Sequence, residues 1–291
     1  MRRAKAGSVN KAASAAETQF PETRRAASIP GFLEVVEEWT NEWFVNEKTW
    51  GPWFRGQSNA TWVLRPSLYR YPPGARHIRT LEDEFRQEFV VRAPTLGPER
   101  PQTSWDWYFL MQHCGAPTRL LDWTESALIG LYFAVRGNSG ESDAVVWILE
   151  PWMLNKHVAG FNEVIAPGAG LGMVQEHADR YYDWLPDRFS EPQSLQKELP
   201  AAVYATHFSR RISSQRSSFT IHGSDYDGFD HLPENARPYL RRIVIPGSKA
   251  RDIERSLSVA GIDEVTVYPD LDGLGRWLTS IMREETRSRS K

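Results

Sequence analysis

The segment Gln112–Ala134, QHCGAPTRLLDWTESALIGLYFA, constrains this chain more than any other. It opens on the polar pair Gln112 and His113 and turns through Gly115 and Pro117. It then sets Thr118, Arg119, Asp122 and Thr124 among leucines and closes as an apolar helical run. Donor-rich side chains pressed against an apolar helix cost free energy unless each is paired or meets a ligand. A second segment of the same character lies upstream, Trp53-Phe54-Arg55-Gly56-Gln57. A chain carrying both is expected to fold around a polar pocket and not a plain core.

Composition narrows the setting of that pocket. The 291 residues suffice for one large domain or two small ones, and 25% charged with 41% hydrophobic residues is close to the globular norm. Lys+Arg 35 against Asp+Glu 37 gives a formal net charge of −2, so no global field favours nucleic acid or an anionic membrane. Cys114 is the one cysteine, which excludes an intramolecular disulfide and a cysteine-rich zinc site. No apolar run approaches the length of a membrane span. The expectation is a soluble, cytoplasmic protein with no membrane or nucleic-acid partner.

Along the chain, Met1–Ser28 carries six basic residues against Glu17 and Glu22 and no apolar core of a secretory signal, and reads as a disordered basic leader. A single domain is expected over 29–284, with a tail at 285–291. Phe32, Val35, Val36, Trp39 and Trp43 recur at helical spacing after Ile29. Trp53–Gly56 and Thr61–Leu64 read as a hairpin about 57–60. Thr80 is expected to cap a helix burying Leu81, Phe85 and Phe89, and Ser104 one that buries Trp107, Tyr108 and Met111. Asp122 or Thr124 is the expected start of the helix holding Leu128, Leu131, Tyr132 and Val135. Ala144–Leu149, Ser218–His222, Arg242–Ile245 and Glu264–Tyr268 read as strands, Lys249–Ala260 and Leu271–Met282 as helices, and 151–200 as an insertion or long loop. Strands mixed with helices without strict alternation predict an α+β fold, a mixed or antiparallel sheet with flanking helices.

WFRGQ, continuing into WVLRPSLYR at Trp62–Arg70, resembles the motif that names the FRG domain family. The Gln112–Ala134 segment is similar to that family's long central motif, and SQRSSFTIHG (Ser214–Gly223) and VYPDLDGLG (Val267–Gly275) resemble two later ones. The third motif usually carries a glycine near Ser217, which this chain lacks. More distantly, an Arg-Gly strand opening looks like an ADP-ribosyltransferase-like fold, and implies an NAD cofactor, a possible protein acceptor and a role in bacterial stress or phage defence. On that resemblance Arg55 grips the phosphates, Thr124 orients the ribose, and Glu264, with Gln215 as alternative, steadies the oxocarbenium as nicotinamide leaves, while the strand-end His222 is a further catalytic candidate lining the pocket. Gln57, Gln112, His113, Arg119, Asp122, Trp123 and Gln215 complete the implied binding pocket. The Ser-Thr-Ser triplet of that superfamily is replaced here by Asp122-Trp123-Thr124.

Blander readings compete at each position. Arg55 could simply pair with Asp122, Arg119 could be an embedded structural arginine, His113 a helix cap, and Asp270 or Asp272 the cap of the last helix. A metal-dependent hydrolase could draw on His113, Asp122, His222 and Asp270, though no pair has close helical ligand spacing. No Gly-x-Ser-x-Gly elbow is present, and Cys114 beside His113 is a poor dyad because adjacent side chains diverge. A non-enzymatic module binding a nucleotide or a partner protein needs Arg55 but not Glu264.

Overall fold

The computed structural model describes residues 20–44, 50–70, 78–97, 101–164, 166–167, 181–185, 197–205 and 210–289. Its centre is β4 (Ala144–Leu149), AVVWIL, buried at all six positions. A strand apolar on both faces needs cover on both and neighbours on each edge. It pairs antiparallel with β7 (Leu240–Ile245) on one edge and with β2 (Trp53–Gln57) on the other. Outward lie β1 (Glu22–Arg25), parallel to β7, and, beyond β2, β3 (Leu120–Thr124), β6 (Ser217–Ile221) and β5 (Ala201–Tyr204). Among the described residues this is one mixed seven-stranded sheet, order β1-β7-β4-β2-β3-β6-β5, in an α+β architecture.

One face carries α1 (Ile29–Phe44), α4 (Ala127–Val135) and α7 (Gly247–Val259) over Phe54, Val146, Ile148, Ile243 and Ile245. The same face continues under β3, β6 and β5, where α3 (Ser104–His113) packs Phe109 and Met111 against Leu120, Phe219 and Ile221. The opposite face gathers Trp53, Leu121, Trp123, Trp147 and Leu149 under α5 (Pro151–Leu154) and the segments of Leu64, Val164 and Phe229. At the periphery stand α2 (Ile78–Arg92), α6 (Arg210–Ser214), α8 (Glu264–Val267) and α9 (Leu271–Arg289). Helix α4 crosses β2 at two glycines. A Cβ on Gly56 would sit 2.1 Å from the Gly130 carbonyl oxygen and one on Gly130 2.6 Å from Phe54 Cβ, so any larger residue pushes helix and strand apart.

Several expectations need correction. The leader does not stay unstructured to Ser28: Glu22–Arg25 forms β1, held by Arg24 to Glu38 and by Trp39 Nε1 donating to Glu22 at 3.1 Å. Residues 1–19 lie outside the described residues. No strand forms at 61–64; the Asn59 carboxamide oxygen takes the Thr61 N–H at 2.9 Å and ends the chain direction there, while β2 finds its partner in β4. Leu120–Thr124 is a strand paired at every residue with β6, so α4 starts only after its cap Ser126. Glu264–Val267 is a helical turn, because the Asp263 carboxylate accepts from both Val265 and Thr266 N–H. Helix α3 is capped by Thr103 in a box with Asp106, one residue early. Helix α2 begins at Ile78 and turns Glu82, not Phe85, fully inward. The last helix runs on to Arg289, through most of the expected tail. Within 151–200, Leu154, Val164, Tyr181 and Trp184 are buried core residues; 165, 168–180 and 186–196 lie outside the described residues.

Arg216, directly before β6, has φ +47° and is the one non-glycine residue in the left-handed region among those described. This is beside the position where the resembling motif carries glycine. An L side chain there costs roughly 1–2 kcal/mol, against about 0.5–1 kcal/mol of extra chain entropy for glycine. The Arg216–Glu125 contact at 3.4 Å is exposed and adds little. Arg216→Gly is therefore expected to raise stability by about 0.5–1 kcal/mol, read as a higher denaturant midpoint; a lower midpoint would mean that the ion pair outweighs the backbone.

Candidate functional site

Strand β2 pairs with β4 at five residues and β3 with β6 at five, yet β2 and β3 meet only at Phe54↔Thr124. The sheet is split at its middle just where the two polar segments face each other. Arg55 fills the split. Its Nη1 donates at 2.7 Å to the Asp122 backbone carbonyl, an acceptor that a regular ladder would have given to a β2 N–H. The Asp122 carboxylate is farther, 3.8 Å from Nη1, and its side chain is 56% exposed. Arg55 is 15% exposed, and among the described residues nothing accepts from its buried Nε. Burial pushes its pKa down to about 10, and the nearby Arg70 charge works the same way, while Asp122 opposes both. The guanidinium is thus a cation without a full counterion.

The Asp122 carboxylate is held from the other side. Gln112, on the last turn of α3, donates Nε2–H to Asp122 Oδ2 at 2.9 Å, and Thr118 Oγ1 donates to Gln112 Oε1. Thr118 Oγ1 also accepts the Leu120 N–H at 3.1 Å. The hydroxyl's own proton is then committed to the carboxamide oxygen, which fixes the orientation of the Gln112 amide.

Arg119 is a structural residue. It is fully buried; Nε donates to Glu82 at 2.8 Å, Nη1 to the His222 carbonyl at 2.6 Å and Nη2 to the Trp184 carbonyl at 2.5 Å. Tyr108 hydroxyl donates to the same Glu82 and accepts the Arg119 N–H at 2.7 Å. Glu82 keeps Arg119 charged well above the ordinary range despite burial.

His222 follows β6 on the face that Arg55, Trp53 and Trp123 share. It is fully buried, and burial, with the Arg119 and Arg55 charges behind it, pushes its pKa down to about 3. Trp123 Nε1, a donor only, gives its proton to Thr220 Oγ1 at 3.1 Å, and Thr220 lies 3.4 Å from His222 Nε2. Where the Thr220 hydroxyl donates to Nε2, Nδ1 carries the proton. Nδ1 is buried with no acceptor among the described residues. Phe229 packs edge-on against both His222 (5.2 Å) and Trp123 (5.9 Å).

The other expected site residues stand elsewhere. Gln57 accepts from Trp147 Nε1 at 2.8 Å. Thr124 donates to the Gln215 carbonyl at 2.6 Å, and Gln215 Nε2 donates to the Val267 carbonyl at 3.2 Å, so both tie β3 to α8. His113 ends α3. Glu264 sits over α4 on the opposite side of the sheet, where it accepts from Tyr132 hydroxyl, from Arg136 at 2.7 Å and from Arg276. The structure therefore joins Arg55, Asp122 and Gln112 at the split, sets Trp123 and His222 on the face that Arg55 shares, and leaves Glu264 apart. Asp270 caps the last helix through the Gly273 N–H at 2.6 Å, as the blander reading had it.

The sequence reading missed Glu82, Thr220, Phe229 and Arg70. Only Glu82 had a visible signal, since Ile78, Glu82, Phe85 and Phe89 share one helical stripe and a carboxylate on an apolar stripe implies a buried cation. Among the described residues no group of three or more His, Cys, Asp or Glu side chains is arranged to hold a metal ion, and no helix is long and apolar enough to cross a membrane. What remains is a mostly buried guanidinium at the split between β2 and β3, on the sheet face that it shares with the buried Trp53, Trp123 and His222. A sequence model of the FRG domain matches residues 51–143, which hold Arg55, Gln112, Arg119, Asp122 and Trp123 but not His222 or Glu264. No curated protein and no solved structure matches the chain.

Proposed function

We propose that this chain, which carries an FRG domain over residues 51–143, binds NAD or a related nucleotide at the Arg55 notch. The observation that supports the reading is a pair of buried nitrogens without partners among the described residues, Arg55 Nε and His222 Nδ1, on one face of the sheet. Leaving buried donors unsatisfied costs about 1–3 kcal/mol each, a cost that a ligand's phosphate and carbonyl oxygens offset on binding. A planar, permanently charged guanidinium suits a pyrophosphate. Phe229 closes over His222, so a ligand that reaches this donor displaces Phe229. The reading does not use Glu264, whose carboxylate is occupied elsewhere, and it is a binding function before it is a reaction.

Calorimetric titration with NAD tests it, with nicotinamide release followed by chromatography. Wild type is expected to bind, and Arg55→Ala, confirmed folded by its unfolding midpoint, to lose at least tenfold in affinity. Undiminished affinity in Arg55→Ala overturns the reading. Glu264→Gln is expected to keep NAD affinity and to lose on the order of 1–2 kcal/mol of stability, through Tyr132 and Arg136. Nicotinamide release that disappears in Glu264→Gln would instead give that carboxylate a catalytic role.

A further inference from the structure

We infer that Gln112 is a positioning residue that holds the Asp122 carboxylate away from Arg55 and so keeps the guanidinium open to an incoming anion. The inference rests on the nucleotide reading of the notch. Among the described residues Asp122 is the carboxylate paired with Arg55, 3.8 Å from Nη1, and with 56% of its side chain exposed it has room to turn. A charge-assisted Arg–carboxylate contact forms at about 2.7–2.9 Å, so a shift near 1 Å would bring Oδ2 onto Nη1. What stands against that shift is the 2.9 Å bond from Gln112 Nε2 to Asp122 Oδ2. Gln112 is itself locked by Thr118, whose hydroxyl is oriented by the Leu120 N–H. The chain Leu120–Thr118–Gln112–Asp122 is thus a brace running from the start of β3 across α3 to the middle of β3. It commits one carboxylate oxygen to a neutral amide, leaving Arg55 joined through Nη1 to a backbone carbonyl. A neutral amide is the fitting group for this role: it binds a carboxylate without cancelling its charge. Gln112 and Asp122, expected from the motif to touch the ligand, act here on Arg55 instead.

Removing the brace releases Asp122 to occupy the position of the ligand's anion. The experiment measures NAD affinity by calorimetry for wild type, Gln112→Ala, Asp122→Asn and the double variant, each checked for an unchanged unfolding transition. Gln112→Ala is expected to bind about tenfold more weakly. Asp122→Asn in the Gln112→Ala background is expected to restore affinity to within about threefold of wild type, because the neutral side chain cannot compete for Arg55. A purely structural role for Gln112 predicts the reverse, a double variant at least as weak as the single. Wild-type binding with Gln112→Ala unaffected, or with no rescue by Asp122→Asn, overturns this inference alone. Absence of NAD binding in wild type overturns the nucleotide reading and this inference with it.

Discussion

Glu82→Ala is expected to cost about 3–5 kcal/mol, a large part of the 5–15 kcal/mol that holds a typical domain folded. Glu82 is 1% exposed and Arg119 not at all, so the substitution leaves a guanidinium charged in the core without its counterion, beside the neutral His222 and Trp184 carbonyls. Tyr108 hydroxyl loses its acceptor at the same stroke. Denaturant unfolding followed by far-ultraviolet circular dichroism reads the loss directly. The reverse change, Arg119→Met, strands a carboxylate and is expected to cost a comparable amount, whereas Glu82→Leu with Arg119→Met removes both charges and is expected to be milder than either single variant. A loss below about 1 kcal/mol in Glu82→Ala would show that water reaches the pair and that the site is not a dry core.

Acid should destabilise the fold through His222 well before the carboxylates titrate. Its folded pKa is about 3 against an ordinary 6.5, with burial the main cause and the Arg119 and Arg55 charges adding to it. Above pH 6.5 both folded and unfolded states hold a neutral ring, and the residue contributes no pH dependence. Below 6.5 the unfolded chain binds a proton that the folded one refuses until about 3, so stability falls with pH at up to about 1.4 kcal/mol per unit. By pH 5 the expected loss is about 2 kcal/mol. His231 has the opposite sign, since Asp225 raises its pKa and its pairing strengthens on acidification. Comparing wild type with His222→Gln at pH 7.5, 6 and 5 separates the two: His231 is common to both, and only the wild type should carry the steep limb. Parallel pH profiles would mean that the imidazole is protonated in the folded state and hydrogen-bonded through Nδ1.

Where periodicity was strong, the elements lie as the sequence predicts. Phe32, Trp39 and Trp43 do face inward from α1, and AVVWIL is the buried central strand. Short segments whose pattern fits two structures went astray. EVTV at 264–267 has strand-forming residues, but the Asp263 side chain fixes the two N–H groups that start a turn of helix. LLDWT joins an apolar helix in sequence and still extends, because five residues of β6 complete its ladder.

The sequence by itself determined that Arg55, Gln112 and Asp122 stand in polar segments demanding partners, since unsatisfied donors among leucines are costly in any fold. It also determined the mixed α+β class, through apolar runs of strand length set between amphipathic helices. Only the tertiary structure decided which partners those residues take. Arg119 was claimed by Glu82 from helix α2, thirty-seven positions away in the chain, and Glu264 was drawn to Tyr132, Arg136 and Arg276 across the sheet from Arg55. His222 came to share a sheet face with Arg55 because β6 follows β3 in the sheet, where 103 positions of chain separate His222 from Arg119. Strand order is settled by how apolar faces pack, and packing joins residues that sequence spacing leaves unrelated.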